Sequence, residues 1–183
     1  MKTRRSARAW FGGLVLLAGL ALLVAIVRPG ATAAASKPDE RQVFWTCEPL
    51  EPDSLASAWL LRRFVAPGCD IRVLKKGEVS PVGKPFDLPL VDWTRDRTHS
   101  TFHVIRDASR LDDRALVELA DQVDTLELKT WNSPASKPVS ELEQRLRAIL
   151  ASGAEPASML IQASGVLDEI YSRLASPPEP SHG

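Results

Sequence analysis

Hydrophobic and polar positions follow regular patterns once the chain passes residue 42. Val43 to Cys47 is short, aromatic and β-branched, and this pattern predicts a strand. Cys69 to Leu74 alternates polar with apolar side chains, so it predicts a second strand that places Ile71 and Val73 on one face.

The stretch between these two strands, Glu51 to Gly68, predicts one short helix. Apolar side chains cover it except for a narrow polar strip that carries Arg62-Arg63, which is typical of a helix buried between layers. We expect Asp53 or Ser54 to cap its start and Pro67-Gly68 to end it. Strand, helix and strand within about thirty residues then form a βαβ unit, with parallel strands and a right-handed crossover.

Helices dominate the rest of the chain. The expected elements, in chain order, are a turn-rich connection over 75–84, an extended edge piece Pro85–Pro89, a polar strand or loop Val91–Thr98, a weak helix Thr101–Ser109 begun by Ser100 or Thr101, a helix Leu111–Leu126 capped by Asp112, a loop Lys129–Pro138, a helix opened by the capping box Ser140–Glu143 and ending near Ala151, and a final helix Ser158–Leu174. The expected fold class is therefore α/β, a small sheet with an N-terminal βαβ unit followed by a mostly helical C-terminal half.

The amino terminus has the features of an export segment. Phe11 to Val27 is an unbroken run of seventeen apolar or glycine residues preceded by four positive charges. A secretory signal has an apolar run of about 7–15 residues and a small-x-small cleavage site, whereas a membrane anchor needs about 17 or more. Residues 1–35 are therefore expected to be a signal peptide or an N-terminal membrane anchor.

The positive charges are expected to stay in the cytoplasm, which places the remainder outside it. The domain would then be periplasmic, or anchored in the cytoplasmic membrane and facing outward. Residues 36–42 read as a polar linker, 43–175 as the folded domain and 176–183 as a disordered tail.

The predicted leader and the rest of the chain differ in net charge. The formal net charge is zero, yet residues 1–35 hold five basic and no acidic residues, so the remainder carries a net charge of −5. A mildly acidic domain without a basic run gives no reason to expect nucleic-acid binding. The sequence also lacks a nucleophile motif, a phosphate-binding loop and a dinucleotide fingerprint. The cofactor is left open, and the histidines and aspartates described below suggest a divalent metal.

The two cysteines are predicted to be free thiols. Export would permit a disulfide, but Cys47 ends the first predicted strand and Cys69 begins the second. In a parallel pair those positions lie at opposite ends, whereas a disulfide needs Cα atoms within about 7 Å. We therefore expect two buried free thiols.

Several short motifs occur in the order that one known family shows. They are Asp53-Ser-Leu-Ala-Ser-Ala-Trp-Leu-Leu-Arg-Arg-Phe-Val65, Pro85 to Pro89, His99 with Thr101 and Phe102, Asp113 to Leu116, and Asp168 to Tyr171. Over residues 43–174 the chain resembles the C-terminal domain of the chromate-resistance ChrB family. The Trp-Leu-Leu-Arg-Arg-Phe string is the most specific part, and the matching residues include Asp53, Trp59, Asp113, Asp168 and Tyr171.

Two positions depart from the family's pattern. Ser54 stands where the family commonly has arginine, and Ser100 stands where it often has cysteine. The resemblance implies a part in the response to chromate or heavy metals. Complete family members resemble cytoplasmic regulators with a further module ahead of this domain. An export segment takes that place here, so direct control of transcription is not expected.

Two groups of residues are candidates for ligand binding. Arg62 and Arg63 suit an oxyanion such as chromate or sulfate, because guanidinium groups donate paired hydrogen bonds to tetrahedral anions. The alternative is a solvated pair that bonds to nearby acids. The resemblance favours Arg62 over Arg63.

The second group is a candidate metal site. His99 and His103 are four residues apart, and with Asp87 they offer imidazole and carboxylate ligands for Zn, Ni or Cu. Asp92 and Asp96 are alternative carboxylates. The competing interpretation is structural, with one histidine capping a helix and the other exposed. The resemblance favours His99.

Three functions remain open. The first is an exported accessory or sensor domain of chromate or heavy-metal resistance that binds an oxyanion or a metal without catalysis. The second is a small metal-dependent or redox enzyme that uses His99 and a nearby carboxylate, which requires Arg62, His99 and Asp87 to converge on one cleft. The third is a protein-interaction module held at the membrane, which requires an exposed apolar patch.

Overall fold

The computed structural model describes residues 41–128 and 137–176, with the backbone alone described for 137–140. The predicted leader, most of the linker, most of the loop Lys129–Pro138 and the tail beyond residue 176 lie outside the described residues. None of the helices in the described ranges is long and apolar enough to cross a membrane.

The fold is a small sheet followed by helices, as expected from the sequence. Its elements are β1 Val43–Cys47, α1 Pro52–Leu60, continued by a π-helical turn Leu61–Val65, then β2 Asp70–Leu74, β3 Lys84–Pro85, α2 Thr101–Ala108, α3 Arg114–Glu127, α4 Lys137–Ala151 and α5 Pro156–Ala175. The predicted α/β class is therefore confirmed.

The sheet has three parallel strands in the order β2, β1, β3. Val43 pairs with Asp70 and Cys47 with Leu74, so the predicted parallel pair of the βαβ unit is confirmed. The expected edge piece is much shorter than Pro85–Pro89, because only Lys84–Pro85 pairs with β1. The stretch Val91–Thr98 is a loop.

The helix α1 begins earlier than the sequence suggests and is capped differently. Its N-cap is Glu51, and Pro52 occupies the first turn, where a missing backbone N–H costs nothing. The predicted caps Asp53 and Ser54 lie inside the helix, where the Ser54 hydroxyl still accepts from the Glu51 amide at 3.1 Å in a capping box. Its far end is a π-helical turn, Leu61–Val65, a feature that is often found at functional sites.

The core is one cluster in which α1 is the central element. This helix contacts each of the four other helices, and all nine of its residues are buried. Strand residues Phe44 and Ile71 belong to the same cluster. Full burial of a leucine side chain such as Leu60 contributes roughly 1.5–3 kcal/mol to the free energy of unfolding. The apolar surface of α1 is therefore a main contributor to the stability of the core.

Three boundaries in the helical half differ from the sequence-based prediction. Asp113, not Asp112, caps α3, because its Oδ1 accepts from the Leu116 amide at 3.0 Å. The helix α4 begins at Lys137, three residues before Ser140, so the predicted capping box does not start it. The last helix begins at Pro156, since proline again suits a first turn.

Both cysteines are free, as predicted, but only Cys69 is buried, whereas Cys47 is half-buried. Cys47 pairs with Leu74, while Cys69 precedes Asp70, the partner of Val43 at the other end of the ladder. Burial raises the pKa of both thiols, and the Arg62 guanidinium opposes this effect at Cys69.

Substitution of Gly83 tests the close contact between the segment before β3 and Val43 of β1. It has φ +93°, and an added Cβ would lie 2.5 Å from the Val43 carbonyl oxygen. We expect Gly83→Ala to lower the free energy of unfolding by about 2 kcal/mol or more, since left-handed strain and overpacking add. The matched control is Gly77→Ala, which has φ +89° and open space around the added Cβ. Equal losses in urea unfolding would contradict the contact.

Candidate functional site

A cavity of about 510 Å³ opens at the carboxyl edge of the sheet. Parallel sheets bind ligands at this edge, where the strand order reverses, and the chain crosses here from β2 on one side of β1 to β3 on the other. All three strand ends and the start of α1 contribute to the wall. The polar side chains and thiol that line it are those of Cys47, Glu48, Glu51, Ser54, Lys76, Glu78, Asp87 and Arg95.

Asp53 lies directly behind this cavity and joins two helices. Its side chain is fully buried, and its oxygens accept from the backbone amides of Thr101 at 2.6 Å and Phe102 at 2.9 Å. Asp53, predicted to cap α1, therefore binds the first amides of α2, whose N-cap is Ser100, one of its two predicted starts. A carboxylate is stabilised there because the unpaired amides and the helix dipole both favour negative charge.

Burial and neighbouring charge oppose ionisation of Asp53. Removal from water raises its pKa to about 7, and the negative charge of Asp87 adds to this effect. Glu127, at the end of α3, is also shifted: burial raises its pKa, while Arg95 opposes the increase. Arg95 contacts both Glu127, at 3.1 Å, and Glu51, so one guanidinium neutralises much of this acidic group.

Asp87 is held in place by two hydroxyl groups. Thr101 Oγ1 donates to its Oδ1 at 2.7 Å, and Ser54 Oγ donates to its Oδ2. Asp87 has φ +54°, a left-handed conformation that is uncommon for residues other than glycine. Ser54, where the family's pattern has arginine, therefore supports a carboxylate on the cavity wall.

A second constellation lies where α2 meets α3. His103, Asp121 and Asp124 each offer one ligand atom, and these atoms lie within 4.8 Å of one another. Ligands bound at about 2.1 Å to one ion are at most about 4.2 Å apart, so the three groups need only a small adjustment to share a metal. Among the described residues, no other group of three His, Cys, Asp or Glu side chains satisfies this criterion.

Hydrogen bonds fix the protonation of His103. Arg106 Nη2 lies 2.9 Å from its Nε2, and guanidinium can only donate, so Nε2 accepts. The ring proton is therefore on Nδ1, which donates to Asp124 Oδ2 at 2.6 Å. The other oxygen of Asp124 accepts from the amide and the hydroxyl of Ser100, which holds the carboxylate at the start of α2.

The predicted metal ligands are only partly brought together. The rings of His99 and His103 have centroids 4.2 Å apart, but Asp87 belongs to the cavity wall and not to the group around His103. His99 instead contacts Asp96, whose pKa is lowered to about 2 by the amides of Thr98 and His99. Asp92 is likewise not part of the group.

The two predicted oxyanion ligands differ in their surroundings. Arg63 is exposed and pairs with Asp168 at 3.1 Å, and its guanidinium lies over the rings of Phe64 and Tyr171. Arg62 is half-buried within the π-helical turn. In the described part of the chain no carboxylate forms an ion pair with it.

The family-matching residues meet in one network between α1, α3 and α5. Trp59 Nε1 donates to Asp168 Oδ1 at 2.9 Å, and Tyr171 Oη donates to Asp113 Oδ2 at 3.2 Å. The rings of Trp59 and Tyr171 also pack together, with centroids 5.8 Å apart. Burial raises the pKa of Tyr171, and Asp113 raises it further. Four of the five matching residues therefore hold helices together, and Asp53 does the same at α2.

Comparison with known families identifies the family to which the chain belongs. A model of the ChrB C-terminal domain matches residues 44–174, well over half of the 183 residues, so the chain belongs to this family. No curated protein and no solved structure matches the chain.

Several residues of these sites were missed from the sequence. They are Glu51, Arg95, Arg106, Asp121, Asp124 and Glu127. Asp121 and Asp124 are three apart on α3 and share one face, a spacing that could have indicated them. Nothing in the sequence shows that this face meets His103, since that contact depends on how α2 and α3 pack.

The buried Asp53 predicts an unusual pH dependence of stability. Its pKa is about 7 in the folded state, against the ordinary 3.8, so the folded protein binds this proton more tightly than the unfolded chain does. Its contribution to the free energy of unfolding should fall from about pH 4 to about pH 7, by up to about 1.4 kcal/mol per pH unit.

We expect Asp53→Asn to lack this contribution. Urea unfolding of wild type and variant at several pH values between 4 and 8 measures the difference, and Asp112→Asn, which changes an exposed carboxyl just before α3, is the control. A constant difference between wild type and Asp53→Asn over this range would contradict the raised pKa.

Proposed function

We propose that this chain is an exported accessory domain of chromate resistance that binds a divalent transition-metal ion without catalysing a reaction. Family membership implies the role in chromate resistance. The convergence of His103, Asp121 and Asp124 supports metal binding. The charged, apolar-cored leader predicted from residues 1–35 supports export.

The ligand types favour a transition metal over Mg²⁺ or Ca²⁺. One imidazole with two carboxylates suits zinc, nickel or copper, and His99 stands beside His103 as a fourth candidate ligand. The ion would take the place of the proton on His103 Nδ1, and that proton would move to Nε2, which lies 3.4 Å from Asp107 Oδ2. Protons and the ion compete for the imidazole, so binding should strengthen as the pH rises.

Titration of the purified chain with Zn²⁺ and Ni²⁺ tests this proposal. We expect one ion per chain, with affinity lowered about 100-fold by His103→Ala and about tenfold by Asp121→Asn, since loss of a ligand leaves the site incomplete. Calorimetric titration at several pH values measures the affinity and its dependence on pH.

Glu118→Gln is the matched control for Asp121→Asn. It removes a carboxylate from an exposed position one turn earlier on α3, so it should leave the affinity unchanged. His99→Ala decides whether His99 is a ligand. If His103→Ala and Asp121→Asn bind as tightly as wild type, the proposed metal centre is wrong.

Oxyanion binding at Arg62 is a second candidate function. The specific support is that Arg62 is half-buried in a π-helical turn, without a carboxylate partner in the described residues. The Cys69 thiol lies near Arg62, whose charge lowers the pKa of the thiol against the effect of burial. This thiol forms no ion pair that would compete with an oxyanion for Arg62. A guanidinium in this setting can donate to a tetrahedral oxyanion.

Sulfate tests this candidate without oxidising the thiols. If Arg62 holds an oxyanion, Arg62→Ala should weaken sulfate binding about tenfold, whereas Arg63→Ala should leave it nearly unchanged because Arg63 is already paired with Asp168. Calorimetric titration at low ionic strength measures both. Equal effects of the two variants would indicate general charge attraction and not a site.

A further inference from the structure

The cavity at the carboxyl edge of the sheet is separate from the group around His103 and has its own chemistry. Its wall carries four carboxylates, from Glu48, Glu51, Glu78 and Asp87, and two cations, from Lys76 and Arg95. The formal excess is two negative charges. Arg95 is moreover engaged by Glu51 and by Glu127, so the wall attracts cations and repels an oxyanion.

A bare metal ion does not fit this distribution of charge. Among the described residues the carboxylates of the wall do not converge within ligand distance of one another. They are spread around a volume of about 510 Å³, which lies in the range of small-molecule sites. Charges spaced in this way match an organic cation whose positive groups are separated.

The lip of the cavity is partly apolar and partly strained. Val79 lines it and is 75% exposed. Leu90, next to the lining residue Pro89, is fully exposed with φ +66°, and Asp87 on the wall has φ +54°. Left-handed backbone at residues other than glycine is sparsely populated and concentrates at ligand-binding sites.

We propose that this cavity binds a small organic diamine. Its ammonium groups would pair with the carboxylates that no cation neutralises, chiefly Glu48 and Glu78, and its methylene chain would lie against the apolar lip. The Glu48 carboxylate has no hydrogen-bond or ion-pair partner among the described residues, and Glu78 Oε2 accepts only from the Lys75 amide in the same range. Both carboxylates are exposed and available to a ligand.

Three probes with four carbons each test the proposal. Putrescine carries two positive charges, 1,4-butanediol is uncharged and succinate carries two negative charges. We expect the full chain to bind putrescine with one molecule per chain, and to bind neither of the others. Affinity should fall as salt is raised, since the attraction is electrostatic. The proposal is wrong if succinate binds as tightly as putrescine, or if the chain binds none of the three probes.

Variants locate the site. Glu48→Gln with Glu78→Gln should weaken putrescine binding about tenfold, while Glu118→Gln on α3 should leave it unchanged. His103→Ala should also leave it unchanged, so failure of the proposed metal centre and failure of the diamine site are distinguishable. If the double variant binds putrescine normally, or if His103→Ala abolishes binding, the cavity is not the site.

Discussion

The buried carboxylate of Asp53 is the interaction on which most of this domain depends. It projects from α1, the helix that contacts all four others, and accepts the first amides of α2. The backbone amide of Asp53 also helps to lower the pKa of Glu127, at the end of α3, against the effect of burial. Burial of a charge is unfavourable unless hydrogen bonds and dipoles stabilise it. Here they offset only part of that cost, because the pKa of Asp53 is still raised to about 7, and they join helices that are distant in the sequence.

The first turn of α2 forms hydrogen bonds with residues of both candidate sites. Asp53 accepts its amides, Asp87 accepts the Thr101 hydroxyl, and Asp124 accepts from Ser100. These aspartates come from α1, from the loop after β3 and from α3. The cavity wall and the group around His103 therefore rest on one helix start, although no side chain belongs to both groups.

Much of the fold could be predicted from local patterns, whereas the sites could not. The strands Val43–Cys47 and Asp70–Leu74 and the buried α1 follow from periodicity and turn residues, which depend on neighbours in the chain. Asp53 has the residue type of a cap, but its partner amides are 48 and 49 positions away. The pairing of His103 with Asp124 likewise depends on helix packing, and side-chain spacing carries no information about it.

The shortness of β3 has a consequence for contacts between the sheet and other chains. An open sheet edge presents unpaired N–H and C=O groups to which another chain can add a strand. Here β3 has two residues and one is Pro85, which has no N–H to offer. On the opposite edge β2 carries Asp70 and Arg72, bonded to each other at 2.9 Å. Both edges are thus poor templates for aggregation.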